Sequence, residues 1–188
     1  LLRYGFDHLD QSYQAETVEK WLASRDSSRP LCLFVGSRDP HVPWKKELAM
    51  ETEKVVLPPF LLDTPDTRTF RSRYYADVVQ ADAEFGAVYD LFSKRFGTDS
   101  LVVFSSDHGG QWPFGKWHLL DEGIRVPLIV SWPGKIAPGS STDAMVSWVD
   151  LIPTLIELAG GEVPRNLDGR SFQRVLKDPT SSHRERIF

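Results

Sequence analysis

The apolar run Leu101-Val102-Val103-Phe104 passes through Ser105 and Ser106 directly into Asp107-His108-Gly109-Gly110. An unbroken row of β-branched and aromatic residues suits a strand covered on both faces, which is the condition of a parallel strand in an α/β sheet. Open α/β sheets bind ligands in the crevice beyond the carboxyl ends of their strands. A carboxylate and an imidazole delivered together at that place stand where a metal site is expected. The same residues also make an ordinary turn, with Asp107 capping it and His108 packing locally. The pair alone leaves both readings open.

The rest of the chain alternates helical and strand-like patterns. Residues 15–23 place Val18, Trp21 and Leu22 on one stripe among Glu16, Glu19 and Lys20, as an amphipathic helix does. Leu31 to Val35 reads as a buried strand, and residues 36–43 as the loop leaving its end. No period holds from Trp44 to Thr69, where Pro58, Pro59 and Pro65 mark a long excursion of a kind that is more often functional than idle. Residues 69–96 form the longest helical pattern, with Tyr74, Tyr75, Val78, Val79, Phe85, Val88, Tyr89 and Phe92 as its apolar face and Gly97 as its stop. Asp77, Asp82, Glu84 and Asp90 are expected on its solvated face. A Gly- and Trp-rich loop spans residues 109–123, and Val126 to Trp132 is a further strand. Asp150 is placed to cap a helix that reaches about Ala159 before Gly160 and Gly161 end it. Such alternation predicts an α/β fold with a mostly parallel central sheet flanked by helices.

At 188 residues, with 41% hydrophobic and 26% charged side chains, the composition is that of an ordinary globular protein. The 26 acidic and 22 basic residues give a formal charge of -4 with no basic stripe, which argues against a general nucleic-acid binder. No apolar stretch approaches the roughly 18 residues of a membrane span, and the first residues do not form a signal peptide. The single Cys32 excludes an intrachain disulfide and a multi-cysteine zinc site. Its place in the 31–35 run predicts an inert core thiol.

Five elements in one order carry a family resemblance. Pro40-His41-Val42-Pro43 resembles the His-x-Pro element of the sulfatases, and Ser106-Asp107-His108-Gly109 their Ser-Asp-(Asn or His)-Gly strand end. Gly115-Lys116 followed by Arg125-Val126-Pro127 and Trp132-Pro133-Gly134 resembles their Gly-(Lys or Arg) step and Val-Pro strand, with nine residues between Lys116 and Val126. Asp150-Leu151-Ile152-Pro153-Thr154 and Leu167-Asp168-Gly169-Arg170 complete the series. The stretch Gln111 to Trp117 is closer to N-sulfoglucosamine sulfohydrolase-like members than to the arylsulfatase pattern.

The resemblance implies a core like that of alkaline phosphatase, and it implies that residues 1–188 are one partial catalytic domain, with the nucleophile region and a C-terminal subdomain outside the chain. The nucleophile of the family is a formylglycine made within Cys/Ser-x-Pro-x-Arg. Cys32, followed by Leu33-Phe34-Val35-Gly36, does not fit that pattern, so the formylglycine is expected outside this segment. The resemblance further implies that Asp107 and His108 are metal ligands, that Lys116 contacts the sulfate and the leaving oxygen, and that His41 stands on the leaving-group side. Sulfate-ester cleavage needs charge stabilised on nonbridging oxygens and support for the departing oxygen, which a cation, a Lys and a His can supply.

Asp-His taken alone suggests zinc, manganese or iron, because calcium prefers hard oxygen ligands; the resemblance implies one calcium ion. The implied partner is a sulfated carbohydrate or other sulfate ester, and a periplasmic, secreted or lysosomal setting is favoured. A metal-dependent phosphoesterase of the same superfamily is the alternative enzyme, and a non-catalytic fragment that binds sulfated glycan or a partner is the alternative without catalysis. Trp112, Phe114 and Trp117 suit either a sugar-stacking platform or core packing. His118 has no counterpart in the family pattern, and His8 and His183 fall in peripheral segments.

Overall fold

The computed structural model describes residues 5–47 and 49–187. The chain divides into two compact units, one of Leu1–Gly97 with Phe104–Ile129 and one of Thr98–Val103 with Val130–Phe188.

In the first unit, helix α1 (Ala15–Ser24) buries Val18 and Leu22 and packs against helix α2 (Pro65–Phe96). The Arg95 guanidinium in the last turn of α2 donates to the Leu22 carbonyl at 2.8 Å. Helix α2 begins four residues before the expected Thr69. Thr64 is its cap, with Oγ1 accepting the Thr67 N–H at 3.1 Å, and Pro65 occupies the first turn, where the missing N–H costs nothing. Gly97, at φ 61°, ends the helix as expected.

The inward side of α2 is more polar than its sequence suggests. Ser72 and Asp77 are its buried residues, whereas Val78 and Val79 are exposed. Asp77 therefore does not belong to the solvated face with Asp82 and Asp90. The reason lies in the excursion that runs alongside it, a non-repetitive segment whose backbone needs hydrogen-bond partners. The Ser72 hydroxyl donates to the Met50 carbonyl at 2.7 Å and accepts the Met50 N–H at 3.1 Å. Asp77 Oδ1 accepts the Lys45 N–H at 3.4 Å. The Arg68 guanidinium donates to the carbonyls of Thr52 and Val55 around a short 3-10 turn (Thr52–Lys54), and the Tyr75 hydroxyl to that of Val56. The excursion is thus held along α2, by Arg68, Ser72 and Tyr75 on one face and by Asp77 further round the helix.

Residues 31–35 do not form the expected strand, and Cys32 is exposed rather than buried. Phe34 is exposed as well. A strand exists only where a neighbour takes up its backbone groups, and no strand pairs with this segment among the described residues. Strands β1 (Val102–Ser105) and β2 (Leu128–Ser131) do form, and pair in a two-stranded sheet. Phe104 packs edge-on against Phe85 of α2 at 5.0 Å, but β1 is only half-buried along its length and Ile129 of β2 is exposed. Helices with a small sheet keep the chain in the α/β class, with the central sheet incomplete.

The second unit is organised around Asp150, which is fully buried. A 3-10 turn (Trp148–Asp150) leads into helix α3 (Leu151–Leu158), and α4 (Gln173–Lys177) packs against it. Asp150 occupies the N-cap position of α3, as expected, but its side chain does not cap the helix. Its carboxylate instead accepts the N–H groups of Ser147 (3.0 Å) and Arg170 (2.8 Å), His183 Nε2 (3.1 Å), and Nε (2.7 Å) and Nη2 of Arg184. Burial by itself would raise the Asp150 carboxyl, but the Arg184 guanidinium, the two N–H donors and His183 hold it well below the usual carboxylate range.

Thr154, one turn on, donates to the Asp150 carbonyl and accepts the Phe172 N–H at 3.0 Å. Gly169 sits so close to the same turn that a Cβ there would lie 1.8 Å from the Val149 carbonyl oxygen. Met145 and Arg184 form a single antiparallel bridge. No helix among the described residues is long and apolar enough to cross a membrane.

Candidate functional site

Two loops of the first unit bring His41 and Lys116 together, although 75 positions separate them in the chain. The first is a narrow turn. The peptide bonds Asp39–Pro40 and Val42–Pro43 on either side of His41 are both cis. The His41 N–H donates to the Arg38 carbonyl at 2.8 Å, and Trp44 Nε1 to that of Pro40 at 3.0 Å. Across its mouth the Lys45 ammonium meets Asp39 Oδ2 at 2.6 Å, and this hydrogen bond pushes the Lys45 ammonium up from its ordinary value.

The second loop, residues 109–123, follows β1. Its Gly109 N–H donates to the Gly123 carbonyl at 2.9 Å, and the Lys116 N–H to that of Gly110 at 2.9 Å. The turn so formed leaves no room at Gly115, where a Cβ would stand 2.2 Å from the Gly110 oxygen. Phe114 and Trp117, on either side of the Gly115-Lys116 step, have φ of 67° and 74°. The left-handed region is unfavourable for bulky side chains, and backbone strain of this kind gathers at functional sites.

Aromatic stacking joins the loops. Trp112 lies on Trp44 with ring centroids 4.5 Å apart and planes inclined by 19°. Tyr74 of α2 closes edge-on against both rings, and burial pushes its hydroxyl pKa up. The Arg71 guanidinium stands about one ring's contact distance over Trp112, 5.0 Å from its centroid. Of the two readings left open for this loop, Trp112 takes the packing role and anchors the loop. Trp117 does not, being 79% exposed with Lys116 Nζ 5.6 Å from its ring centroid.

Lys116 Nζ lies 3.0 Å from His41 Nε2. An ammonium only donates, so Nε2 is the acceptor; the Val42 carbonyl, 2.6 Å from Nδ1, only accepts, so Nδ1 carries the proton. His41 is held as one neutral tautomer with its free nitrogen facing a cation. This arrangement offers an oxyanion an ammonium and an imidazole side by side on an open surface.

Asp107 and His108 open the same loop. His108 Nε2 is 3.5 Å from Asp107 Oδ2, and the Asp107 side chain is 82% exposed. Its other ring nitrogen, Nδ1, approaches the Gly109 carbonyl at 2.9 Å, so Nε2 is the nitrogen left to a ligand. Carboxylate oxygen and imidazole nitrogen can share one divalent ion, as two members of its shell. Among the described residues no group of three or more His, Cys, Asp and Glu side chains is gathered for a metal.

His118 is exposed, with its ring beside Phe114. His183, which falls in a peripheral segment of the sequence, has a structural role as a partner of buried Asp150. The stack of Trp44 on Trp112 leaves no trace in the sequence beyond the tryptophans themselves.

The chain is 28% identical over 156 residues to an ulvan-active sulfatase of Formosa agariphila, covering 81% of this chain and 31% of the relative. It superposes with a TM-score of 0.74, at 24% identity, on a structure from work on glycosaminoglycan metabolism by Bacteroides thetaiotaomicron, covering 89% of this chain and 38% of the other. A second solved structure, in complex with D-glucosamine-2-N,6-O-disulfate, matches at 27% identity and a TM-score of 0.57 over 63% of this chain and 25% of the other. The chain therefore spans about a third of the length of such relatives. The family model described as Sulfatase matches residues 5–161, most of the chain, and the chain belongs to the sulfatase family.

Proposed function

We propose that the chain is part of a single sulfatase catalytic domain, and that the complete protein hydrolyses sulfate esters or sulfamates of a carbohydrate. The approach of Lys116 Nζ to His41 Nε2 carries this reading. In it, the Lys116 ammonium turns from His41 to the sulfate and balances the charge that grows on its oxygens and on the departing oxygen as the bond breaks. His41 is oriented through Nδ1–H to the Val42 carbonyl, so that Nε2 stays directed at the same oxygens. The names of the relatives, an ulvan-active sulfatase and a structure holding a disulfated glucosamine, support a carbohydrate substrate.

Asp107 and His108 would hold one side of a divalent ion, which when bound supplies positive charge to the sulfate. Calcium is the ion favoured by family membership; its preference for six or more oxygen ligands requires most of the shell to come from outside the described residues. The formylglycine nucleophile is likewise assigned outside this segment.

The test is release of inorganic sulfate from sulfated mono- and oligosaccharides by the complete protein. Sulfate release that falls at least about a hundredfold with Lys116→Ala is the expected result. Turnover of a phosphate or phosphonate ester with none of a sulfate ester would establish the phosphoesterase alternative instead. Metal content of the purified protein should approach one calcium per chain and fall with Asp107→Asn, whereas two zinc or manganese ions would contradict the assignment.

A further inference from the structure

The loop that carries Lys116 uses its two tryptophans in opposite ways. Trp112 is turned in, stacked on Trp44 and covered by Tyr74 and Arg71. Trp117 is turned out, 79% exposed, on a backbone at φ 74° that a bulky side chain rarely adopts. A solvated indole earns nothing from packing, so its burial cannot account for the strain. Phe114, at φ 67° and 43% exposed, stands on the other side of the Gly115-Lys116 step. The exposed Leu119 and Leu120 continue the apolar surface along the chain.

The ring of Trp117 is also close to the charged pair. Lys116 Nζ is 5.6 Å from its centroid and 3.0 Å from His41 Nε2, so the three side chains share one corner of the first unit. A ligand that fits them must present a flat, weakly positive face to the indole and an anion to the ammonium. The C–H face of a pyranose complements the negative face of an aromatic ring, and an exocyclic sulfate on that sugar projects by the scale of this separation.

We propose that Trp117 is the stacking platform for the sulfated pyranose itself, a binding residue that makes the site select a sugar sulfate over an acyclic alkyl sulfate. This rests on the sulfatase reading above and adds the substrate's ring to it. Lys116 takes the sulfate while Trp117 takes the ring, the ammonium lying 5.6 Å from the ring centroid.

The test uses the complete protein, a panel of methyl pyranosides monosulfated at different positions, hexyl sulfate as the acyclic reference and an aryl sulfate. For the best pyranoside, Trp117→Ala should lower kcat/KM by about tenfold more than for hexyl sulfate. The loss should fall on KM rather than kcat, and Trp117→Phe should restore most of it. Equal losses on pyranoside and hexyl sulfate would overturn the proposal, because Trp117 would then only support Lys116. A selective loss on the aryl sulfate alone would overturn it in favour of an aromatic ligand.

If the wild-type protein turns over no sulfate ester, the catalytic reading fails, yet the platform is still decided by binding. Ring protons of the same pyranosides should move upfield in NMR titrations with wild-type protein and not with Trp117→Ala. Absence of that shift in the wild type would refute the platform.

Discussion

Replacing Asp150 with Ala should be among the most damaging single changes in the second unit. The carboxylate is fully buried and takes two backbone N–H groups, His183 and both approaches of the Arg184 guanidinium. The side chains of His183 and Arg184 are only 8% and 15% exposed, so removing the carboxylate strands a cation and a polar ring away from water. Breaking a buried pair from one side costs about 3–5 kcal/mol, and the two orphaned backbone donors add to that cost.

The contribution is also tied to pH in a stated direction. The folded carboxyl is held below its unfolded value, so its stabilisation is complete above the ordinary Asp pKa of about 4 and is lost only as the pH falls from there through the folded value. Denaturant unfolding of the complete protein, followed by a probe in this unit, should show a lower midpoint for Asp150→Ala at pH 7. The difference from wild type should stay constant down to about pH 5 and narrow below about pH 4. A loss under about 1 kcal/mol at pH 7 would refute the hub, since that is the scale of a single exposed hydrogen bond.

Two further substitutions test packing, one in each unit. Gly169→Ala brings a methyl to within 1.8 Å of the Val149 carbonyl, and backbone must move to admit it; thermal unfolding should fall by the equivalent of about 3 kcal/mol, and an unchanged midpoint would mean the turn is looser than described. Ser72→Ala leaves both the N–H and the carbonyl of Met50 without their partner, which should cost about 1–2 kcal/mol and speed limited proteolysis within residues 44–56; cleavage at the wild-type rate would argue that α2 does not hold the excursion.

What could be read from the sequence follows the range of the forces involved. The boundaries of α1 and the stop of α2 depend on periodicity and on Gly97, both local, and they agree with the structure. The start of α2 is just as local but ambiguous, because a proline marks an interruption as readily as the first helical residue after a Thr cap, which is what Pro65 is. Burial was harder to read wherever it depended on distant partners. Asp77 looks solvated among Asp82, Glu84 and Asp90, and only the excursion lying against α2 makes it an interior acceptor. Leu31 to Val35 has the composition of a core strand, yet composition supplies no partner for its backbone.

At the site, motif order points to His41 and Lys116, and the structure places their side chains 3.0 Å apart. The tautomer of His41, the inward Trp112 and the outward Trp117 follow from turn geometry that no single-residue pattern records. Asp150 stands at the N-cap of its helix as its place in the sequence suggests, but its carboxylate serves partners up to 34 residues away that no local pattern records.

The most direct test of the shared site is a double-mutant cycle on sulfate-ester hydrolysis by the complete protein, with His41→Ala, Lys116→Ala and the pair compared by kcat. Two groups that act on the same oxygens from 3.0 Å apart are coupled, so each single change should cost about a hundredfold or more and the double little beyond the larger single loss. Full additivity of the two losses would contradict a shared site, and wild-type turnover in the Lys116 variant would remove Lys116 from the chemistry altogether.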